Sequence, residues 1–133
     1  MTGAAATPAI IELVGVEKTY RPGGRKGERG VGFRALNGVD LAIAQGEMVA
    51  ITGPSGSGKT TIINLIAGID RPTAGTVTVS GSRLDQMTED QLAVWRGRTV
   101  GIVFQFFQLM PTLTAIENAT LPLDLALVGP HRP

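Results

Sequence analysis

The sequence predicts an α/β fold whose centre is a strand, a glycine-rich loop and a helix, with an antiparallel β layer nearer the amino terminus. Three observations predict it. An apolar run, Glu47–Thr52, leads into Gly53-Pro54-Ser55-Gly56-Ser57-Gly58-Lys59-Thr60, and a helical pattern, Thr60–Ala67, leads out. Two strand patterns precede this unit, one around residues 10–16, rich in β-branched residues, and one around 33–43. A third, Thr76–Ser80, follows it and alternates apolar with polar residues, as a half-exposed strand does. At 133 residues the chain is one domain or part of one, long enough to bury a real core.

Taken in order, residues 1–9 are small and polar and read as a loose amino terminus. Ile10–Val16 reads as the first strand, ending in Glu17-Lys18-Thr19-Tyr20. Arg21–Gly32 holds five glycines, one proline and four basic residues, and reads as a solvated loop rather than a membrane or nucleic-acid patch. A second strand pattern runs from Phe33 to Ile43, with Asn37-Gly38 marking a turn or bulge, and Gln45-Gly46 turns the chain into Glu47–Thr52. The helix after the loop stops at Gly68, and Asp70–Gly75 is a turn. Thr88-Glu89-Asp90-Gln91 has the pattern of a capping box opening a helix that buries Leu92 and Trp95, with Val94 at the margin, and ends near Gly97. Val100–Phe104 reads as a buried strand, Phe106–Pro111 as an apolar irregular stretch, and Thr114–Glu117 as another capped helix start that Pro122 interrupts or kinks.

Composition removes whole classes of chemistry. Without cysteine there are no disulfides, thiolate metal sites or cysteine nucleophiles, and His131 is the only histidine, so a histidine metal cluster is excluded as well. A net charge of +1 points to no nucleic-acid partner. The sequence contains no apolar run of membrane-spanning length, and Met1–Ala6 lacks the basic start and apolar centre of a signal peptide.

The glycine-rich run carries the chemistry. Two glycines flank four residues and are followed by Lys and Thr, the pattern of a phosphate-binding loop. Gly56 and Gly58 allow successive N–H groups to curl into an anion-sized nest. Lys59 supplies a point charge for the outer phosphates, and the Thr60 hydroxyl is suited to ligate Mg²⁺. A helix starting here aims its amino-terminal dipole at the same anion. The nucleotide-contacting set is therefore Gly53, Pro54, Ser55, Gly56, Ser57, Gly58, Lys59, Thr60 and the adjoining Thr61.

Several separated stretches together resemble one family, the nucleotide-binding domains of ATP-binding-cassette (ABC) transporters. They are the phosphate loop, Tyr20 after the first strand, the run Leu65–Gly75, and Val103-Phe104-Gln105 with Leu109, Pro111, Leu113-Thr114 and Glu117-Asn118. With Leu121-Pro122-Leu123, the last run is most similar to the lipoprotein-release, macrolide-export and cell-division subgroup. The resemblance covers residues 10–127, leaves 128–133 as a tail, and implies a partial P-loop NTPase core. It implies ATP and Mg²⁺ as cofactors, Tyr20 stacked on adenine, and Gln105 on Mg²⁺ or the attacking water, with Gln108 as a rival for that role. It also implies that Phe106, Phe107, Leu109 and Met110 face a membrane-spanning partner, although core packing explains some of them equally well. A second nucleotide-binding subunit would complete a dimer, and the protein would lie at the cytoplasmic face of the membrane, held there by its partner.

Three elements of the family pattern are missing: a strand ending in Asp-Glu, the Leu-Ser-Gly-Gly-Gln signature and a switch histidine in its context. The chain is therefore expected to be the N-terminal part of a cassette, an ABC-type ATPase by family, with Lys59 and Gln105 as its catalytic residues but inactive in hydrolysis alone. Two other readings stay open: a non-catalytic nucleotide-binding or interaction fragment, and a small P-loop kinase. A kinase would need an arginine-rich lid and an acceptor site, and leaves the run around Gln105 unexplained.

Overall fold

The structure, a computed structural model, describes residues 8–21, 32–106 and 108–127. The expectations for residues 1–7, for residues 22–31 of the basic Arg21–Gly32 stretch, for Phe107 and for the tail with His131 lie outside the described residues. The described chain forms two compact units, one up to Met87 and one from Thr88.

The first unit is built on a four-stranded antiparallel sheet in the order β2-β1-β3-β4. Its strands are β1 (Ala9–Tyr20), β2 (Phe33–Ala44), β3 (Ala74–Val79) and the short β4 (Ser82–Arg83). The antiparallel layer is thus formed, and β1 extends through the Glu17–Tyr20 segment. Leu13 and Val16 are both buried although three positions apart, because a bulge between them inserts one residue into β1. The Gly15 N–H at this bulge donates to Asp40 Oδ1 at 2.7 Å. Asn37-Gly38 is likewise a bulge inside a continuous β2, where Lys18 and Val16 pair with Leu36 and Val39. Gly75 on β3 has φ +82° and lies so close to β1 that a side chain there would run into the Gly15 and Val14 carbonyl oxygens.

Helix α1 (Lys59–Ile66) follows the glycine-rich loop and buries Leu65, with Ala67 buried just beyond it. Gly68, at φ +67°, ends it: the Gly68 N–H donates to the Leu65 carbonyl and the Ile69 N–H to the Asn64 carbonyl, at 3.1 and 2.9 Å. This paired closure satisfies carbonyls that the last turn leaves open. A single 3₁₀ turn, Leu84–Gln86, buries Leu84 and completes the unit's core with Leu36, Ile43, Val77 and Val79.

The second unit contains α2 (Glu89–Thr99) and α3 (Ala115–Leu127). Thr88 and Gln91 form the expected capping box, with bonds of 2.8 and 3.3 Å. Leu92 and Trp95 are buried and Val94 is exposed. Helix α2 runs past Gly97, its early Glu89 and Asp90 and late Arg96 and Arg98 complementing the helix dipole. Thr114 and Glu117 cap α3 in the same way. Helix α3 continues through Pro122 and is not interrupted there, although the proline has no N–H to donate to the Asn118 carbonyl. Asn118 also organises the preceding loop: its side chain accepts from the Met110 N–H and donates to the Met110, Leu113 and Thr114 carbonyls.

Two expected strands are not formed. Glu47–Thr52 is not part of any strand ladder, and Met48 is 101% exposed. Val100–Phe104 is unpaired too, although Val100 itself is extended, and Val103 is 93% exposed. A strand makes no hydrogen bonds within itself and exists only beside a neighbour that takes its N–H and C=O groups. Neither run has a ladder partner among the described residues.

Candidate functional site

The glycine-rich loop closes around its own lysine. Lys59 Nζ donates to the Gly53 and Pro54 carbonyl oxygens at 2.8 and 2.7 Å and reaches Ser57 Oγ at 3.4 Å. The Ser57 N–H donates to the Pro54 carbonyl at 3.2 Å, which tightens the turn. Gly58 then caps α1 in the left-handed conformation, φ +92°. A Cβ at Gly58 would lie 2.8 Å from Leu36 Cδ2 and 2.9 Å from the Ala35 carbonyl oxygen, so only glycine lets the loop seat on β2.

Helix α1 has no side-chain cap and no acidic residue in its first turn. Its amino-terminal N–H groups and dipole therefore face the loop without a competing anion from the chain. A cavity of about 430 Å³ opens here, lined by Phe33, Ala35, Ser55, Gly56, Gly58, Lys59, Thr60 and Thr61. A concave site lined by N–H groups, a cation and a hydroxyl, with an apolar wall, suits a phosphorylated ligand with a hydrophobic part. Phe33 and Ala35 were not singled out from the sequence. The signal available was their place on the strand that Gly58 needs for its close approach.

No group of three or more His, Asp or Glu side chains that could hold a metal occurs among the described residues. A hard cation here would have to draw most of its oxygens from phosphate and water, with the Thr60 hydroxyl as a protein ligand, which fits the way Mg²⁺ is usually bound.

Tyr20 ends β1 directly opposite Phe33. Side chains facing each other across an antiparallel pair share one face of the sheet, so Tyr20 lies beside the cavity wall. The Tyr20 hydroxyl donates to Asp70 Oδ2 at 2.8 Å, and Lys18 Nζ lies over the Tyr20 ring, 4.9 Å from its centroid. Lys18 also pairs with Asp70 Oδ1 at 2.5 Å and donates to the Arg71 carbonyl at 2.7 Å. Burial pushes the Asp70 carboxyl up, but the hydrogen bonds from Lys18, the Arg71 N–H and Tyr20, with the Lys18 charge, together hold it below its ordinary value.

Gln105 and Gln108 belong to the second unit and both are exposed; Gln108 has φ +55°. Phe106, Leu109 and Met110 are exposed as well, and none of them packs into a core among the described residues. Their neighbour Glu117 has its carboxyl lowered by hydrogen bonds from the Thr114 hydroxyl and N–H. No helix among the described residues is long and apolar enough to cross a membrane.

A sheet carrying an aromatic at a strand end, next to a lysine-closed glycine loop on a helix start, is the constellation of a nucleotide-binding cassette. A family profile described as ABC transporter matches residues 36–131, and the chain belongs to that family. Relatives include the lipoprotein-releasing system ATP-binding protein LolD of Anaeromyxobacter dehalogenans, 44% identical over 98% of this chain and 56% of that protein. The uncharacterized ABC transporter ATP-binding protein YknY of Bacillus subtilis is 43% identical over 90% of this chain and half of its own length. Among solved structures, the dimeric post-hydrolysis state of the ATP-binding cassette MJ0796 bound to ADP and Pi matches with a TM-score of 0.79 at 40% identity. That match covers 92% of this chain and 50% of the other. The chain thus spans about half the length of the relatives it matches, and its fold is the α/β fold of these cassettes.

Proposed function

We propose that this chain is the ATP-binding part of an ABC transporter subunit. The observation that carries this reading is the closed glycine loop, with Lys59 bound across it at the amino end of α1 and a cavity of about 430 Å³ in front. The Gly53–Thr61 segment takes the phosphates: backbone N–H groups and the α1 dipole neutralise them, and Lys59 turns from the Gly53 and Pro54 carbonyls toward the outer phosphate oxygens. Thr60 would hold Mg²⁺, which when bound would supply positive charge against the phosphates. Tyr20 stacks on adenine and Phe33 supplies an apolar wall. Gln105 orients the attacking water or ligates the same ion.

In the whole protein, hydrolysis of ATP would drive release or export of a substrate through a membrane-spanning partner at the cytoplasmic face, with a second nucleotide-binding subunit completing the site. The relatives named for lipoprotein release support that assignment, and the exposed Phe106, Leu109 and Met110 offer an apolar surface to such a partner. The experiment is titration of the purified chain with Mg-ATP beside Lys59→Ala. Binding that depends on Lys59 is expected; equal binding by a folded Lys59→Ala variant would refute the assignment.

A further inference from the structure

Asp70 is placed to control Tyr20, though it does not line the cavity. The turn that carries it is stapled to the end of β1: the Thr73 N–H donates to the Glu17 carbonyl at 2.8 Å, and Thr73 Oγ1 accepts from the Thr19 N–H at 2.9 Å. The carboxylate then divides its work. Oδ1 accepts from the Arg71 N–H at 2.7 Å and from Lys18, which fixes the group itself. Oδ2 accepts the Tyr20 hydroxyl, 50 residues away in sequence.

The same ammonium that pairs with Asp70 lies over the Tyr20 ring. One ring face is therefore occupied by Lys18, while Tyr20 as a whole stays 40% exposed. A ring held by its hydroxyl at one end, by its backbone at the other and by a cation on one face has one face left for a planar ligand. That ring stands opposite Phe33, which does line the cavity.

We propose that Asp70 is a positioning residue for the nucleotide base, acting through the Tyr20 hydroxyl and Lys18 to present the open face of the Tyr20 ring. The proposal rests on the reading of Tyr20 as the adenine contact. It separates Tyr20 into two functions: the ring supplies the stacking surface, and the hydroxyl supplies its orientation. Preorganisation of this kind strengthens binding by removing the cost of ordering the ring when the base arrives.

The test titrates the purified chain and its Asp70→Ala, Tyr20→Phe and double variants with Mg-ATP and, separately, with magnesium tripolyphosphate, which has phosphates but no base. Each single variant should weaken ATP about fivefold, the scale of one lost hydrogen bond. The double variant should be no weaker than Asp70→Ala alone, since the Tyr20 hydroxyl acts only through Asp70. Tripolyphosphate affinity should be unchanged throughout. Unchanged ATP affinity in Asp70→Ala would overturn the proposal, as would an equal loss for both ligands, which would make Asp70 a residue of the fold alone. Additive losses in the double variant would also overturn it. Tyr20→Ala is titrated in parallel: if it keeps full ATP affinity, the stacking reading itself fails, an outcome distinct from failure at Asp70 alone.

Discussion

Lys59 Nζ lies 2.7 Å from the carbonyl oxygen of Pro54, inside its own loop. The bond holds the ammonium at the amino end of α1 and supports the loop against collapse. Lys59→Ala removes both the charge and this internal strut. Mg-ATP affinity should fall at least tenfold, about 1.4 kcal/mol or more, in an isothermal titration.

Tyr20→Ala removes the stacking surface itself. It should cost about 1–3 kcal/mol of ATP binding. The loss should be absent for tripolyphosphate, which has nothing to stack, and comparison of the two titrations checks it.

Gly58 occupies a left-handed conformation against β2, where an added Cβ would strike the Ala35 carbonyl oxygen. Gly58→Ala should destabilise the chain by about 1–3 kcal/mol through backbone strain. It should also weaken nucleotide binding, because the loop must lift from β2. Thermal denaturation and ATP titration of the same variant check the two effects.

The Asp70 carboxyl is held below its ordinary value despite burial. A carboxyl depressed in the folded state contributes stability that is present above its unfolded value, near 3.9, and is lost as pH falls through the folded value. Acidification below about pH 4 should therefore remove part of the stability of the wild-type chain. Asp70→Asn should start less stable at neutral pH and show a shallower loss over that acid window. Urea midpoints measured from pH 6 to 2 would show the difference, and parallel curves for the two proteins would refute it.

The phosphate cradle is complete, yet no carboxylate in this sequence follows a later apolar strand. Binding needs mainly the cradle; hydrolysis also needs an oriented, polarised water and a match to the transition state. The 133-residue chain alone should bind Mg-ATP without turning it over. Phosphate release with Lys59→Ala as background checks this: Lys59-dependent turnover near one per second, an ordinary enzyme rate, would contradict it.

What could be read from the sequence was local. The Thr88–Gln91 and Thr114–Glu117 caps, the Gly68 stop and the glycine loop each depend on residues within a few positions of one another, so spacing alone reveals them. Glu47–Thr52 and Val100–Phe104 were misjudged because an apolar run reports a tendency to be buried, not whether a neighbouring strand is there to take its hydrogen bonds. Pro122 does not interrupt α3, because the proline removes one bond and the rest of the helix persists without it. The link between Tyr20 and Asp70 had no spacing to betray it, because a bond across 50 residues is made by the fold. Phe33 stayed hidden in the same way, as a wall defined only once β2 lies under the loop.

Helix α1 is fastened at both ends. Gly58 seats its start on β2, and the closure at Gly68 delivers Asp70 to the end of β1. Its eight residues, about 12 Å of axial rise, therefore act as a gauge block between the phosphate end of the site and the base end. One inserted residue would lengthen the block by about 1.5 Å and turn everything beyond it by about 100°. Tolerance to insertion within Lys59–Ile66 should thus be far lower than the burial of its individual side chains suggests.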